Sequence, residues 1–368
     1  MAKAVQISIN PQRLEYLLKL FNLSKQDLQK IIQKEIDFSK PLNKTSLKAI
    51  DTIFQVGLDF YTNPSPLNTS KSSILFRKDN LKENLKIGDK QFITQYEKEI
   101  NYISGLAKLG DFSFTARKLK SFALQDSPLE VAKQMQFLLP TKKLSDKQFL
   151  ESFIDNLAEQ NILVLENIES HNKKYKSSLC GFFIKPNAIV LKQQGRKREI
   201  FTLAHELGHY LLNNENIDEN IFMQNPNSEE VWCNQFAFAL LLGESLDELE
   251  HIPSNAINLE NKTIQNLSNK KHISRLALFY HFANTNKIQW TKYKQLKEYL
   301  QNEYNQKKQE NKNNQENRKF KPPIPVLSPL QKDIFINAFL EGAVSEYIMR
   351  THFKRHIKDN NLERFIYG

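Results

Sequence analysis

The chain has 368 residues, 40% of them hydrophobic, and carries a net charge of +11 from 52 lysines and arginines against 41 acids. That length exceeds one small domain and implies two or three compact units. No apolar run reaches the ~18–20 residues that cross a bilayer, and the N-terminal string MAKAVQISINPQ is not a secretory signal, so a cytoplasmic protein with no membrane partner is expected.

The first seventy residues read as short helices. Asn10 caps a helix that opens on Pro11 and carries Leu14, Leu17, Leu18 and Phe21 at helical spacing. Ser24 caps a second with Leu28, Ile31 and Ile32, and a third begins near Thr45 or Ser46 and carries Leu47, Ile50, Ile53 and Phe54. Pro64 to Ser73 turns to Pro, Ser, Thr and Asn, the composition of a linker. Helical periodicity returns from about Gln91 to Leu109, after Ser127-Pro128, and from Ser145 to about Asn161. The β-prone runs Ile162 to Glu166, Cys180 to Ile184 and Ala188 to Leu191, the last two joined by Lys185-Pro186-Asn187, predict a small, mostly antiparallel sheet. After Leu296 the chain becomes rich in Asn, Gln and Lys, as expected of a flexible tether or a solvated helix extension. Beyond Pro322 a last helical unit carries Ile334, Phe335, Ala338, Phe339 and Leu340; His352 and His356 within it read as a surface pair.

The string with chemistry in it is Arg198-Glu-Ile-Phe-Thr-Leu-Ala-His205-Glu206-Leu-Gly-His209-Tyr-Leu-Leu212. On a helix His205 and His209 stand one turn apart on one face, so both imidazoles can reach one metal ion. Glu206 is carried beside that ion, not onto it, where it can take a proton from water and return it to a leaving amine. By residue frequency such a pattern arises by chance in roughly one of a hundred chains of this kind, so metal binding is the reading to test.

A catalytic zinc needs a third protein ligand. The short spacing that would supply another histidine fails, because position 215 is glutamate. Downstream, Ser228 to Leu242 reads as a helix with an apolar face anchored by Trp232, Phe236 and Leu240, and Glu229 and Glu230 stand in its first turn. Both are candidate ligands; both also suit the positive end of a helix dipole. His251, His272, His281 and Arg275 are further candidates for polarising a carbonyl or steadying an oxyanion. Cys180 and Cys233 form no Cys-x-x-Cys pair and read as buried, reduced thiols.

Phe201-Thr-Leu-Ala-His205-Glu206-Leu-Gly-His209, followed by Glu230-x-x-Cys233-Asn234-x-Phe236-Ala237 and a Leu-Leu pair, resembles the ImmA/IrrE metallopeptidases. Looser likeness extends to Phe76-Arg77, Gly181-Phe182, Ile273-Ser-Arg275 and Leu340-Glu-Gly342. The resemblance implies an α+β, zincin-like core, with the glutamate four residues before the asparagine, Glu230, as third ligand. It further implies zinc as cofactor, although a site of two histidines and a carboxylate also accepts manganese or iron. The family commonly carries a repressor-type helix-turn-helix at the N-terminus. Here the helices of Pro11 to Ile32 and Pro41 to Phe60 resemble its parts, but Leu28 to Pro41 leaves no room for a recognition helix, which argues against sequence-specific DNA binding.

The expected organisation is a degenerate helix-turn-helix-like domain at 1–66, connecting helices at 67–140, a zincin-like metallopeptidase domain at 141–300, a polar tether at 301–323 and a helical unit at 324–368. The expected activity is that of a zinc endopeptidase with His205, His209 and Glu230 as ligands, Glu206 as catalytic base, and His272 or Arg275 as candidate transition-state stabilisers. Its implied partner is a protein substrate of repressor or antitoxin type encoded nearby, in a toxin–antitoxin, mobile-element or phage-related system. The alternative is a non-proteolytic, metal-containing regulator or toxin that acts by binding protein or DNA.

Overall fold

The structure is a computed structural model that describes residues 6–67, 73–77, 85–110, 112, 116–215, 217, 227–313 and 323–368. The chain divides into two compact units: residues 1–102 with 170–178, and residues 103–169 with 179–368.

In the first unit, α1 (Pro11–Phe21) starts on Asn10, whose side chain accepts from Gln12 N, and α2 (Lys25–Ile32) starts on a reciprocal capping box between Ser24 and Asp27. The third helix, α3 (Lys44–Phe54), begins slightly earlier than its apolar pattern suggests because Asn43, not Thr45, supplies the capping oxygen. Residues 33–43, between α2 and α3, form no helix. Instead β2 (Leu42–Asn43) pairs antiparallel with β1 (Gln6–Ile7). Short helices α4 (Leu58–Thr62) and α5 (Ile74–Arg77) follow, and α6 (Ile87–Leu109) runs on past the division between the units. The loop 170–178 joins the first unit by bonding to the start of α6: Ser177 Oγ and Ser178 N donate to Asp89 Oδ1 at 2.7 and 2.6 Å. Of the linker expected between Pro64 and Ser73, residues 68–72 lie outside the described residues.

The second unit is built around α7 (Pro128–Met135), α8 (Asp146–Glu159), a three-stranded sheet and two long helices, α9 (Arg196–Leu211) and α10 (Ser228–Leu242). The strands are β3 (Leu163–Asn167), β4 (Gly181–Ile184) and β5 (Ala188–Lys192), in the order β3-β5-β4. The expected hairpin forms, pairing β4 antiparallel with β5, Phe182 opposite Val190 and Phe183 opposite Ile189. The third strand differs from the mostly antiparallel arrangement expected, because β3 lies parallel to β5 with Leu165 opposite Val190. Its direction is set by α8, which packs on β3 and leads into it through the short turn 160–162. Nearly every residue of the three strands is buried, since helices cover the sheet, and this accounts for continuous apolar runs without alternation.

A buried ion cluster ties the start of α9 to this sheet. Arg196 bonds Glu166 of β3 at 2.6 Å and also Glu199, and Glu166 accepts a further bond from the backbone N–H of Val326. Burial pushes the Glu199 carboxyl up from its ordinary range, although the Gln194 N–H and Arg196 oppose it.

The chain continues through α11 (Ser245–Glu250), α12 (Lys262–Lys270), α13 (Arg275–Asn284) and α14 (Trp290–Asn313). The last of these extends into the expected tether, of which residues 314–322 lie outside the described residues. Three further helices close the chain: α15 (Pro329–Leu340), α16 (Glu346–His352) and α17 (Leu362–Tyr367). There His352, expected on a surface helix, is half-buried. It stacks on Phe335 with ring centroids 4.1 Å apart and bonds Gln331. Cys180 and Cys233 are both buried thiols. Among the described residues no helix is long and apolar enough to cross a membrane.

Candidate metal centre

Helix α9 packs against β4 and β5 on one side and along α10 on another. From Glu199 to Leu211 every residue of α9 is buried, so its histidines are presented inside the protein, not to bulk water. His205 is 0% exposed, His209 and Glu230 1% each, and Glu206 2%.

The two helices approach closely at Gly208. A Cβ placed there would sit 3.1 Å from Cys233 Sγ and 3.2 Å from Cys233 Cα, tighter than ordinary packing, so that Cys233 would have to give by a few tenths of an ångström. That approach brings the first turn of α10 to the histidine face of α9. Glu230 Oε2 lies 3.1 Å from His205 Nε2, Glu230 Oε1 lies 3.1 Å from His209 Nε2, and the two Nε2 atoms are 3.2 Å apart. Glu229 is only half-buried and stays outside the cluster; its N–H is used by the Asn227 cap. Of the two glutamates it is Glu230, the one the resemblance named, that lies with the histidines.

The donor set fits a metal ion. His205, His209 and Glu230 place ligand atoms within 4.8 Å of one another, the one such group among the described residues. Three atoms each ~2.0–2.1 Å from a tetrahedral zinc stand about 3.3 Å apart, close to the spacings above. Two imidazole nitrogens in contact beside a carboxylate, all out of water, also require a cation for balance, either a proton or a metal. Tautomer chemistry favours the metal at His205. Its Nδ1 faces Asn234 Oδ1 at 3.1 Å, so the proton sits on Nδ1 and Nε2 keeps a lone pair toward the cluster. Asn234 is in turn held by its Nδ2, which donates to Tyr280 OH at 3.2 Å.

Glu206 stands beside the donors, with an N–H bond from Phe183 of β4. Burial pushes its carboxyl up to about 8; Glu230 adds to the rise, and His209 and the Phe183 N–H oppose it. A divalent cation at the cluster would favour its charged form.

The structure does not bring His272 or Arg275 to the cluster. His272 Nδ1 bonds Asp146 Oδ1 at 2.6 Å and its ring stacks on Phe149, while Arg275 Nη2 bonds Glu303 Oε2 at 2.8 Å. His251 is exposed and turned to the Asp247 carbonyl, and His281 is buried against Phe238. Two contributors escaped the sequence reading. Asn234 stood in the quoted motif, and its spacing of four from Glu230 places it on the same helix face. Tyr280 gave no signal, because only the packing of α13 against the site brings it there.

Residues 158–252 match the family model described as the IrrE N-terminal-like domain, Peptidase_M78. No curated protein matches the chain. The matched segment contains the whole sheet, both site helices and all four residues His205, Glu206, His209 and Glu230. Peptidases of this kind are metal-dependent, and the buried His-His-Glu cluster can hold a metal. Over residues 158–252 the chain is thus similar to the ImmA/IrrE metallopeptidases and carries a metallopeptidase-type domain.

Proposed function

We propose that the chain is a zinc-dependent endopeptidase that cleaves one regulatory protein of repressor or antitoxin type. The observation that carries the reading is the buried convergence of His205, His209 and Glu230 with Glu206 beside them. In this reading the catalytic domain spans 141–300 and the helical unit 324–368 is an accessory to it.

Zinc held by His205, His209 and Glu230 supplies a Lewis acid that polarises a carbonyl and acidifies water; manganese or iron would suit the same donors. The chain's own residues do the rest. Asn234 holds the His205 ring in the ligating tautomer. Glu206 accepts the proton of the attacking water and delivers it to the leaving amine nitrogen. β4 is an edge strand of the sheet, and Phe183 of that strand bonds Glu206. Phe182 and Phe183 are 0% exposed, so a substrate backbone would pair along β4, beside the base, only by displacing what shields that edge; main-chain recognition of this kind suits an extended segment of a partner protein. Residues 33–43 form no helix, so the proposal gives the N-terminal helices no sequence-specific DNA role.

The test is co-expression of the native protein, and separately of Glu206→Gln, with the neighbouring gene product that most resembles a repressor, followed by intact-mass measurement of that partner. A defined pair of fragments with the native protein, and none with Glu206→Gln at equal zinc content, is the expected result. A partner that co-purifies uncut with both proteins would refute the protease reading in favour of a regulator that works by binding.

A further inference from the structure

None of the residues lining the cavity beside the start of α9 belongs to the donor cluster. It measures about 610 Å³, within the size range of small-molecule sites, and its walls come from α9, α12, α13 and α14. Its chemistry is one-sided: Lys197 of α9, Arg275 of α13 and Lys307 of α14 line it, against the single carboxylate of Glu303.

Glu303 does not neutralise the inner part of the cavity. It bonds Arg275 Nη2 at 2.8 Å and Lys307 at 2.6 Å, which uses one of the five N–H donors on the guanidinium. The Lys197 ammonium bonds neutral oxygens, Asn269 Oδ1 at 2.7 Å and Ser268 Oγ at 3.2 Å. Burial, and the nearby charge of Arg275, hold that ammonium below its ordinary pKa, while Asp146 works the other way. Two cations that disfavour each other at one wall, offset only in part by Glu303 on Arg275 and by Asp146 near Lys197, are relieved further by an anion placed between them. A guanidinium fork beside an ammonium matches the several oxygens of a phosphate better than one carboxylate. The opposite character also lines the cavity, in Leu276, Leu300 and Tyr304.

We propose that this cavity binds a phosphorylated small molecule of nucleotide size, with its phosphates between Lys197 and Arg275 and its body against Leu276, Leu300 and Tyr304. Such a ligand joins α9, which carries His205 and His209, to α13, which carries Tyr280. The assignment is independent of the protease reading, because it concerns occupancy and not cleavage.

The test is titration calorimetry on the zinc-loaded full chain with ATP, pyrophosphate and inorganic phosphate, with sulfate at matched ionic strength as control. Expected is saturable, one-to-one binding of ATP, weakened roughly tenfold or more by Lys197→Gln and by Arg275→Gln, the loss of one charge-assisted bond each. Lys307→Gln, at the exposed rim, is expected to weaken it severalfold, and Lys142→Gln, outside the cavity, to leave it unchanged. Melting curves confirm that each variant is folded. No saturable binding of any phosphate probe, or binding that survives both Lys197→Gln and Arg275→Gln, overturns the proposal. ATP no tighter than inorganic phosphate overturns the role given to the apolar wall.

Discussion

Replacing Asn234 by alanine should weaken zinc binding without touching a ligand. The side chain accepts from His205 Nδ1 at 3.1 Å and donates to Tyr280 OH at 3.2 Å, and Asn234 and Tyr280 are 2% and 1% exposed. Water cannot replace these bonds cheaply in so closed a place. Tyr280 is itself fixed by rings, with Trp290 at 5.9 Å and Tyr293 at 6.1 Å between centroids, so it cannot swing inward to bond His205. Loss of a bond that orients a metal-ligating histidine costs 10–100-fold in affinity, or about 1.4–2.7 kcal/mol. The fold loses two buried hydrogen bonds as well, at about 1 kcal/mol each, and keeps an orphaned N–H.

The assay is competition for zinc with a chromophoric chelator, run beside thermal melts with and without metal. Asn234→Ala should fall in affinity by one to two orders of magnitude. Asn234→Asp keeps an acceptor for the His205 N–H and should hold most of that affinity, which separates orientation from mere packing. Tyr280→Phe removes only the outer bond and should show a smaller loss. An Asn234→Ala protein that binds zinc as the native one does would refute the reasoning, and so would Ala and Asp variants that lose affinity equally.

Gly208→Ala should destabilise the fold by about 1–3 kcal/mol and weaken zinc, because its methyl group meets Cys233 at 3.1–3.2 Å; a melt and the same chelator titration read both. Stripping the metal with a chelator should lower the melting temperature, and zinc at ~100 times its Kd should restore about 2.7 kcal/mol; manganese and ferrous iron added in turn show which ion the donors prefer. The pH dependence has a definite sign at His281, which burial, helped by Lys287, holds down at about 4. The unfolded imidazole takes its proton near ~6.5, so the stability due to neutral His281 is complete above that and is lost as pH falls from about 6.5 to 4. Melts at about pH 7.5 and about pH 5 should therefore show a larger drop for the native protein than for His281→Gln, and equal drops would count against it.

What the sequence revealed and what it hid follow the range of the interactions. The His205-Glu206-His209 spacing is a local property of one helix and is legible without any partner, as are the caps at Asn10, Ser24 and Ser145 and the hairpin around Lys185-Pro186-Asn187. The parallel pairing of β3 with β5 was not, because strand direction depends on where α8 packs and not on the composition of Leu163 to Asn167. Glu229 and Glu230 were indistinguishable by composition; the resemblance pointed to Glu230, and in the structure the rotation of α10 about its own axis turns that residue to the histidines. His272 and Arg275 were reasonable candidates by residue type, but Asp146, Phe149 and Glu303, remote in sequence, occupy them.

That rotation is itself fixed by small residues at the contact between α9 and α10. Gly208 lies between His205 and His209 in sequence, and Cys233 lies between Glu230 and Asn234. The Gly208–Cys233 contact therefore falls within both pairs, one residue before the second member of each. Each pair spans one turn, so each directs its two members across that contact: Glu230 toward both Nε2 atoms, Asn234 toward Nδ1 of His205. A residue larger than alanine at 208 would press on Cys233 and push the axes apart, lengthening the 3.1 Å spacings between the donors. The same His-Glu-x-x-His string on a helix crossed elsewhere would present two imidazoles and no carboxylate. The candidate metal centre is thus set by a helix–helix contact as much as by its motif, and in the proposed reaction Glu206 can serve as base only because that contact has already closed the site around it.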